Sequence, residues 1–186
     1  RGLGDVYKRQ VQAVLAALVL IDLWSVARTL IEPRPASQAF AQGAEAAAYI
    51  AQQGGGSRTY SPSYSIPHHT AALHGLEQLD GVEPSQLRWV AEYASLAGGY
   101  ALDGYAVTIP AYPDGVDVRE AHRSAQLDAA LLGLLNVRYL IAAYPLDAEG
   151  LQLLAHLDGS YVYRNERCLP RAQRLDGERA PGPELE

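Results

Sequence analysis

The stretch SAQLDAALLGLLN at residues 124–136 runs straight into VRYLIAA at 137–143, and that junction decides the fold class. In the first segment apolar residues return every three or four positions behind Ser124, a residue suited to cap a first turn, which predicts a helix buried on one face. The second segment is short, apolar except for Arg138 and Tyr139, and is stopped by Pro145, which predicts a central strand. A helix feeding such a strand within one residue is a unit of an α/β domain.

Reading toward the C-terminus, Leu151–Leu157 and Tyr161–Arg164 have strand character and are joined at Asp158-Gly159, a dipeptide suited to a two-residue hairpin turn. Reading toward the N-terminus, Ser57–Ser61 is a short strand ended by Pro62, Thr70–Leu76 a helical turn, Pro84–Ala97 a helix with proline in its first turn, and Tyr105–Pro110 a strand. Gln38–Gln53 has one weakly apolar helical face and ends in Gly54-Gly55-Gly56. The succession predicts one mixed α/β domain over residues 38–172, with residues 173–186, polar and rich in Pro and Gly, as a disordered or frameshifted tail.

Upstream lies VQAVLAALVLIDLWSVARTLI, residues 11–31, with an unbroken apolar run from Ala13 to Ile21. A membrane span needs about 20 mostly apolar residues, and the segment reaches that length if Asp22 and Trp24 sit at the interface. An export signal cleaved after Ser25-Val26-Ala27 and a helix of a soluble domain are the two other readings. Length favours the span, here expected to be the end of a last transmembrane helix, followed by EPRPAS, residues 32–37, as a linker broken by two prolines.

Residues 1–10, RGLGDVYKRQ, stand apart in composition: Lys8 is the only lysine of the chain, whereas twelve arginines lie beyond residue 10. GDVYKRQ resembles a translated adapter peptide of metagenomic contigs, so residues 1–10 are expected to be a sequencing artefact rather than native sequence.

The formal net charge of −6, with no basic cluster, excludes a nucleic-acid groove. Gly54–Gly56 follow a helix and precede a strand, the reverse of a phosphate-binding turn, and no Gly-Lys-Ser/Thr follows. His68, His69 and His74 lack a ligand spacing and a completing Cys or carboxylate, so no metal site is expected, and no cofactor. Cys168 is the single cysteine and has no recognisable base, and no G-x-S-x-G elbow occurs. Asp80 with Glu83, and Asp114 with Asp117, read as solvated turn carboxylates. The unusual feature is the tyrosine density of the middle third, at positions 60, 64, 93, 100, 105 and 112, against one Phe in the chain. Tyrosine suits the rim of a core and equally suits carbohydrate or partner surfaces, and no catalytic residue follows from it. The loop of Tyr64, His68 and His69, aromatic and polar between a strand and a helix, is the candidate ligand or partner surface.

LLGLLNVRYLIAAYPLD (131–147) followed by LAHLDGSYVYRNERCLPRA (154–172) resembles the extracytoplasmic region of YfhO-type bacterial membrane proteins, relatives of the GT-C glycosyltransferases that use polyprenyl-phosphate sugars. SRTYSPSYSIPHHTAALHGLEQLDGVEPSQL (57–87) is similar to a further strand, loop and G-x-D/E-P-x-Q-L segment of such proteins. The resemblance spans residues 11–172; it departs at Cys168, where a small residue is usual, and in the tail. It implies a fragment of a polytopic protein of the bacterial cell membrane that handles lipid-linked sugar for envelope glycans. The α/β domain would lie on the extracytoplasmic side, non-catalytic alone and incomplete at its C-terminus. Its partners would be its own missing transmembrane domain and a polyprenyl-phosphate sugar or acceptor glycan. Two alternatives stay open: a soluble α/β nucleotide-binding or enzyme domain, and a structural assembly module.

Overall fold

The computed structural model describes residues 3–31, 33–102, 104 and 106–172. The chain divides into two compact units, one up to Ala39 and one from Phe40. In the first, α1 (Leu3–Leu30) is a single 28-residue helix, about 42 Å long at the usual rise. Apolar residues cover all its sides: Leu18, Leu20 and Trp24 are 57%, 66% and 70% exposed. Ser25 and Thr29 donate their hydroxyls back to the carbonyls of Asp22 and Val26, at 2.8 and 2.7 Å, so neither needs an outside partner. The stretch Tyr7–Leu30, 24 residues, is long and apolar enough to cross a membrane, which weakly suggests membrane association. Within the expected linker, the short α2 (Ala36–Ala39) begins directly after Pro35.

The second unit is mixed α/β, as expected. Its helices are α3 (Ala44–Gln52), α4 (His68–Leu73), α5 (Arg88–Gly98) and α6 (Ala129–Leu134). Its strands are β1 (Arg58–Tyr60), β2 (Glu77–Gln78), β3 (Gly81–Val82), β4 (Thr108–Ile109), β5 (Val137–Ala142), β6 (Leu151–Leu157) and β7 (Ser160–Asn165). Five strands form one sheet in the order β2-β1-β5-β7-β6, and β3 and β4 pair as a separate antiparallel ribbon. β1 runs parallel to both its neighbours, with Thr59 opposite Gln78 and Tyr60 opposite Leu140. β7 is antiparallel to β5 and β6.

Helices cover both faces of the sheet. Ala46, Ala47 and Ile50 of α3 and Ala71 of α4 pack with Tyr139, Ile141 and Val162 on one face. Ala97 of α5 and Leu132 of α6 pack with Tyr60, Leu140 and Tyr163 on the other. The alternation of Leu140 and Ile141 between the two layers is the period-two signature of a strand buried on both sides. The chain leaves β1 for β2 through α4 on one face and returns to β5 through α5 and α6 on the opposite face. Strand order therefore reverses at β1.

Several elements differ from expectation. α6 starts at Ala129 rather than at Ser124, because the Asp128 carboxylate caps it, accepting from Ala130 N and Leu131 N at 2.8 and 3.1 Å. α5 starts at Arg88, not Pro84. The segment 38–53 is interrupted at Gly43, whose φ of +68° and contact with the Ser65 carbonyl leave no room for a Cβ. The strand expected at 105–110 is only Thr108–Ile109, and Tyr105 lies outside the described residues, as does the tail 173–186.

Candidate functional site

In sheets of this kind ligands bind beyond the carboxyl ends of parallel strands, where strand order reverses. Here that place is the loop after β1, SPSYSIP at 61–67, together with Asp80 after β2 and Ala143-Tyr144 after β5. Three buried serines fasten the loop. Ser61 Oγ donates to the Ile141 carbonyl at 2.9 Å and accepts from Ser65 N at 2.8 Å, while Ser63 Oγ accepts from Ala143 N at 2.9 Å and lies 2.7 Å from Ser65 Oγ. The hydroxyls thus extend the pairing of β1 with β5 beyond its last strand residues. Tyr64 sits at the bend of the loop with φ of +50°.

Asp80 is buried behind this loop, 5% exposed. One carboxylate oxygen accepts from Ser61 N at 3.1 Å, and the other lies 3.9 Å from His68 Nε2. Burial pushes the Asp80 carboxyl above its usual range, against the pull of the His68 imidazole and the Ser61 N–H. The expectation of a solvated turn carboxylate fails at Asp80, because β2 carries it under the serine loop; Asp114 and Asp117 are exposed, as expected.

Of the three candidate residues, two come together. Tyr64 and His68 meet edge to face, with ring centroids 5.3 Å apart, and both line a small apolar cavity of about 160 Å³ beside Ile109, Tyr112 and Val118. His69 is exposed and packs edge-on against Phe40 at 5.4 Å, off that cavity. Neighbouring positions on a helix point about 100° apart, so the start of α4 sends the two histidines to different surroundings.

Tyr112 also borders a second, larger cleft of about 700 Å³, whose walls include Tyr100, Asp114, His122 and Ser124. His122 is 8% exposed and lies between the two tyrosine rings, its centroid 4.9 Å from Tyr100 and 5.3 Å from Tyr112, tilted 39° and 35°. Burial holds its imidazole below the usual range, opposed by a hydrogen bond to the Ala111 carbonyl. Burial first, and the Asp80 carboxylate next, push the Tyr100 and Tyr112 phenols up. Tyr144, under the Arg123 guanidinium at 5.6 Å, is pushed up to about 12 by burial. These phenols are neutral hydrogen-bonding groups at physiological pH. The hydroxyls of Tyr60, Tyr112 and Tyr144, with His68 Nε2, His122 Nε2 and one oxygen of Asp80, are buried without a hydrogen-bonding partner in the protein.

Among the described residues no group of three His, Cys, Asp or Glu side chains is arranged to hold a metal ion. Cys168 is partly buried beside Asn136, at the amino end of β5 and away from the cluster. Asp80, Tyr100, Tyr112 and His122 are not among the sequence candidates. The tyrosine density of the middle third is the signal for them, since Tyr60, Tyr64, Tyr100 and Tyr112 all join the cluster. Comparison of this chain with protein-family models, with curated proteins and with solved structures finds no match.

Proposed function

We propose that this chain belongs to a polytopic bacterial membrane protein resembling the YfhO-type, lipid-linked-sugar glycosyltransferase-like proteins, with α1 as a transmembrane helix and the α/β unit as an extracytoplasmic accessory domain. In this reading the domain binds acceptor glycan or lipid-linked sugar beside its own transmembrane domain, while bond making is carried out elsewhere in the protein. The observation that carries it is α1: it is apolar on every side, its own hydroxyls are satisfied within the helix, and none of its most apolar window is buried. A helix hydrophobic all round belongs in a core or in a bilayer. The cluster at the carboxyl ends of β1, β2 and β5 supports the binding role. The loop after β1 carries serines and prolines instead of the glycines a phosphate cradle needs, which favours this reading over a nucleotide site.

The test has two arms. The full chain should sediment with membranes and require detergent, and a chain lacking residues 7–30 should not; equal solubility of the two contradicts the span. In the complete parent protein, Tyr64→Ala and His68→Ala should lower glycan transfer while His69→Ala, facing Phe40, leaves it unchanged. Unchanged transfer in all three removes the Tyr64 and His68 surface from the proposal.

A further inference from the structure

α5 turns its small residues inward and two large apolar ones outward. Ala91, Ala94 and Ala97 are buried, while Trp89 and Leu96 are 65% and 66% exposed. Seven positions separate Trp89 from Leu96, about two turns, so both side chains leave the helix on one face. α6 widens that face. Asp128 N donates to the Ala97 carbonyl at 2.8 Å and the Tyr93 hydroxyl to the Leu131 carbonyl at 2.9 Å, so α6 starts at the end of α5 and returns alongside it. One turn beyond Leu131, Leu134 is 59% exposed. Large apolar side chains grouped on neighbouring helices and left in water mark a docking surface.

The polar groups of α5 narrow what docks there. Arg88 pairs with Glu92 at 2.7 Å, Tyr93 donates to the Leu131 carbonyl, and the Ser95 hydroxyl donates to the Tyr100 carbonyl. Every polar side chain of the helix is thus engaged within the protein, and its two charges cancel. A protein partner is held in register by polar pairs, about one hydrogen bond per 100–200 Å² of interface. A bilayer asks only for apolar contact and has no register, and tryptophan is favoured at its headgroup boundary. A bilayer is also what Tyr7–Leu30 of the same chain is long and apolar enough to cross.

We propose that the face carrying Trp89, Leu96 and Leu134 docks on a lipid bilayer surface, with the indole at the boundary between headgroups and acyl chains. The assignment rests on the membrane half of the role proposed above and adds a second, peripheral contact with lipid, made by the α/β unit itself. Apolar contact drives it, so anionic lipid is not required.

The test uses the full chain reconstituted into phosphatidylcholine vesicles, with and without phosphatidylglycerol. The chain has two tryptophans, so Trp24→Phe leaves Trp89 as the only indole and Trp89→Phe leaves Trp24. Bromines carried on the acyl chains about 5–10 Å below the headgroups should lower the Trp89 emission about twofold, equally in both kinds of vesicle. Leu96→Glu combined with Leu134→Glu should abolish most of that quenching and open Trp89 to iodide present on both sides of the membrane. Both leucines are exposed, and melting curves in micelles establish that the double variant keeps its fold. The proposal is overturned if brominated lipid leaves Trp89 unquenched, if quenching needs phosphatidylglycerol, or if the folded double variant is quenched as before. Shielding of Trp89 from iodide without quenching by brominated lipid would show a protein partner on this face and overturn it equally. Trp24 reads the span separately: quenched Trp24 beside unquenched Trp89 leaves the span standing, whereas loss of quenching at both removes the span as well.

Discussion

His68 Nε2 lies 3.9 Å from Asp80 Oδ2, and neither atom is engaged in a hydrogen bond. His68 lines the small apolar cavity, whereas Asp80 is buried behind the serine loop, where its carboxylate accepts from the Ser61 N–H. Burial outweighs both attractions and raises the Asp80 carboxyl.

The folded protein therefore holds the Asp80 proton more tightly than the unfolded chain. The stability this confers is complete below the ordinary value of 3.8 and is lost as pH rises through the raised one. Asp80→Asn keeps an acceptor for Ser61 N and cannot ionise. Its melting temperature relative to the native protein should rise between about pH 4 and pH 8, whereas a constant difference would show that Asp80 does not titrate anomalously.

His122 gives the opposite pH dependence. Its folded value lies below the usual 6.5, so the stability it contributes is present above 6.5 and is lost as pH falls through the lowered value. His122→Phe keeps a flat ring between Tyr100 and Tyr112 without the titration. The native protein should lose more melting temperature than this variant on going from about pH 7.5 to pH 5. Parallel losses would contradict the assignment.

Asn165, 2% exposed, ties three elements together. Its Nδ2 donates to the carbonyls of Ala129 and Val137 at 2.7 and 3.0 Å, and its Oδ1 accepts from Arg167 N at 2.9 Å. Asn165→Ala leaves buried groups unmatched and should cost about 1–3 kcal/mol in denaturant unfolding. Asn165→Asp turns an acceptor toward two carbonyls, so it should cost more; a smaller cost would mean that the side chain is not oriented as described.

Gly133 lies inside α6 where an alanine would ordinarily help, by about 1 kcal/mol. A Cβ there would overlap the Arg167 carbonyl, and overpacking against backbone costs about 1–3 kcal/mol. Gly133→Ala should accordingly destabilise the domain in a thermal melt. A stabilised variant would show that the segment after β7 does not press on α6.

What can be read from the sequence follows from how local each determinant is. The β6–β7 hairpin is visible because Asp158 and Gly159 both adopt positive φ, +50° and +67°, which their residue types favour. The passage from α6 to β5 is visible for a similar reason: Asn136, at φ +63°, turns the chain out of the helix. The start of α6 is misread because Ser124 and Asp128 are both good caps, and the choice is made by a tertiary bond, Asp128 N to the Ala97 carbonyl at 2.8 Å. β2 and β3, two residues each, carry no periodicity to detect. The site is less legible still. Asp80 is buried by a loop 19 residues earlier in the chain, and His122 by tyrosines at 100 and 112 that approach only through the fold.

The central claim, an α/β unit outside the cytoplasmic membrane, is tested most directly through the single cysteine. Cys168 is partly exposed, and Ser85→Cys adds an exposed reporter on the same unit. With the unit on the outside, a membrane-impermeant maleimide labels both thiols in intact spheroplasts to the extent reached after permeabilisation. Labelling of the two thiols only after permeabilisation would contradict it.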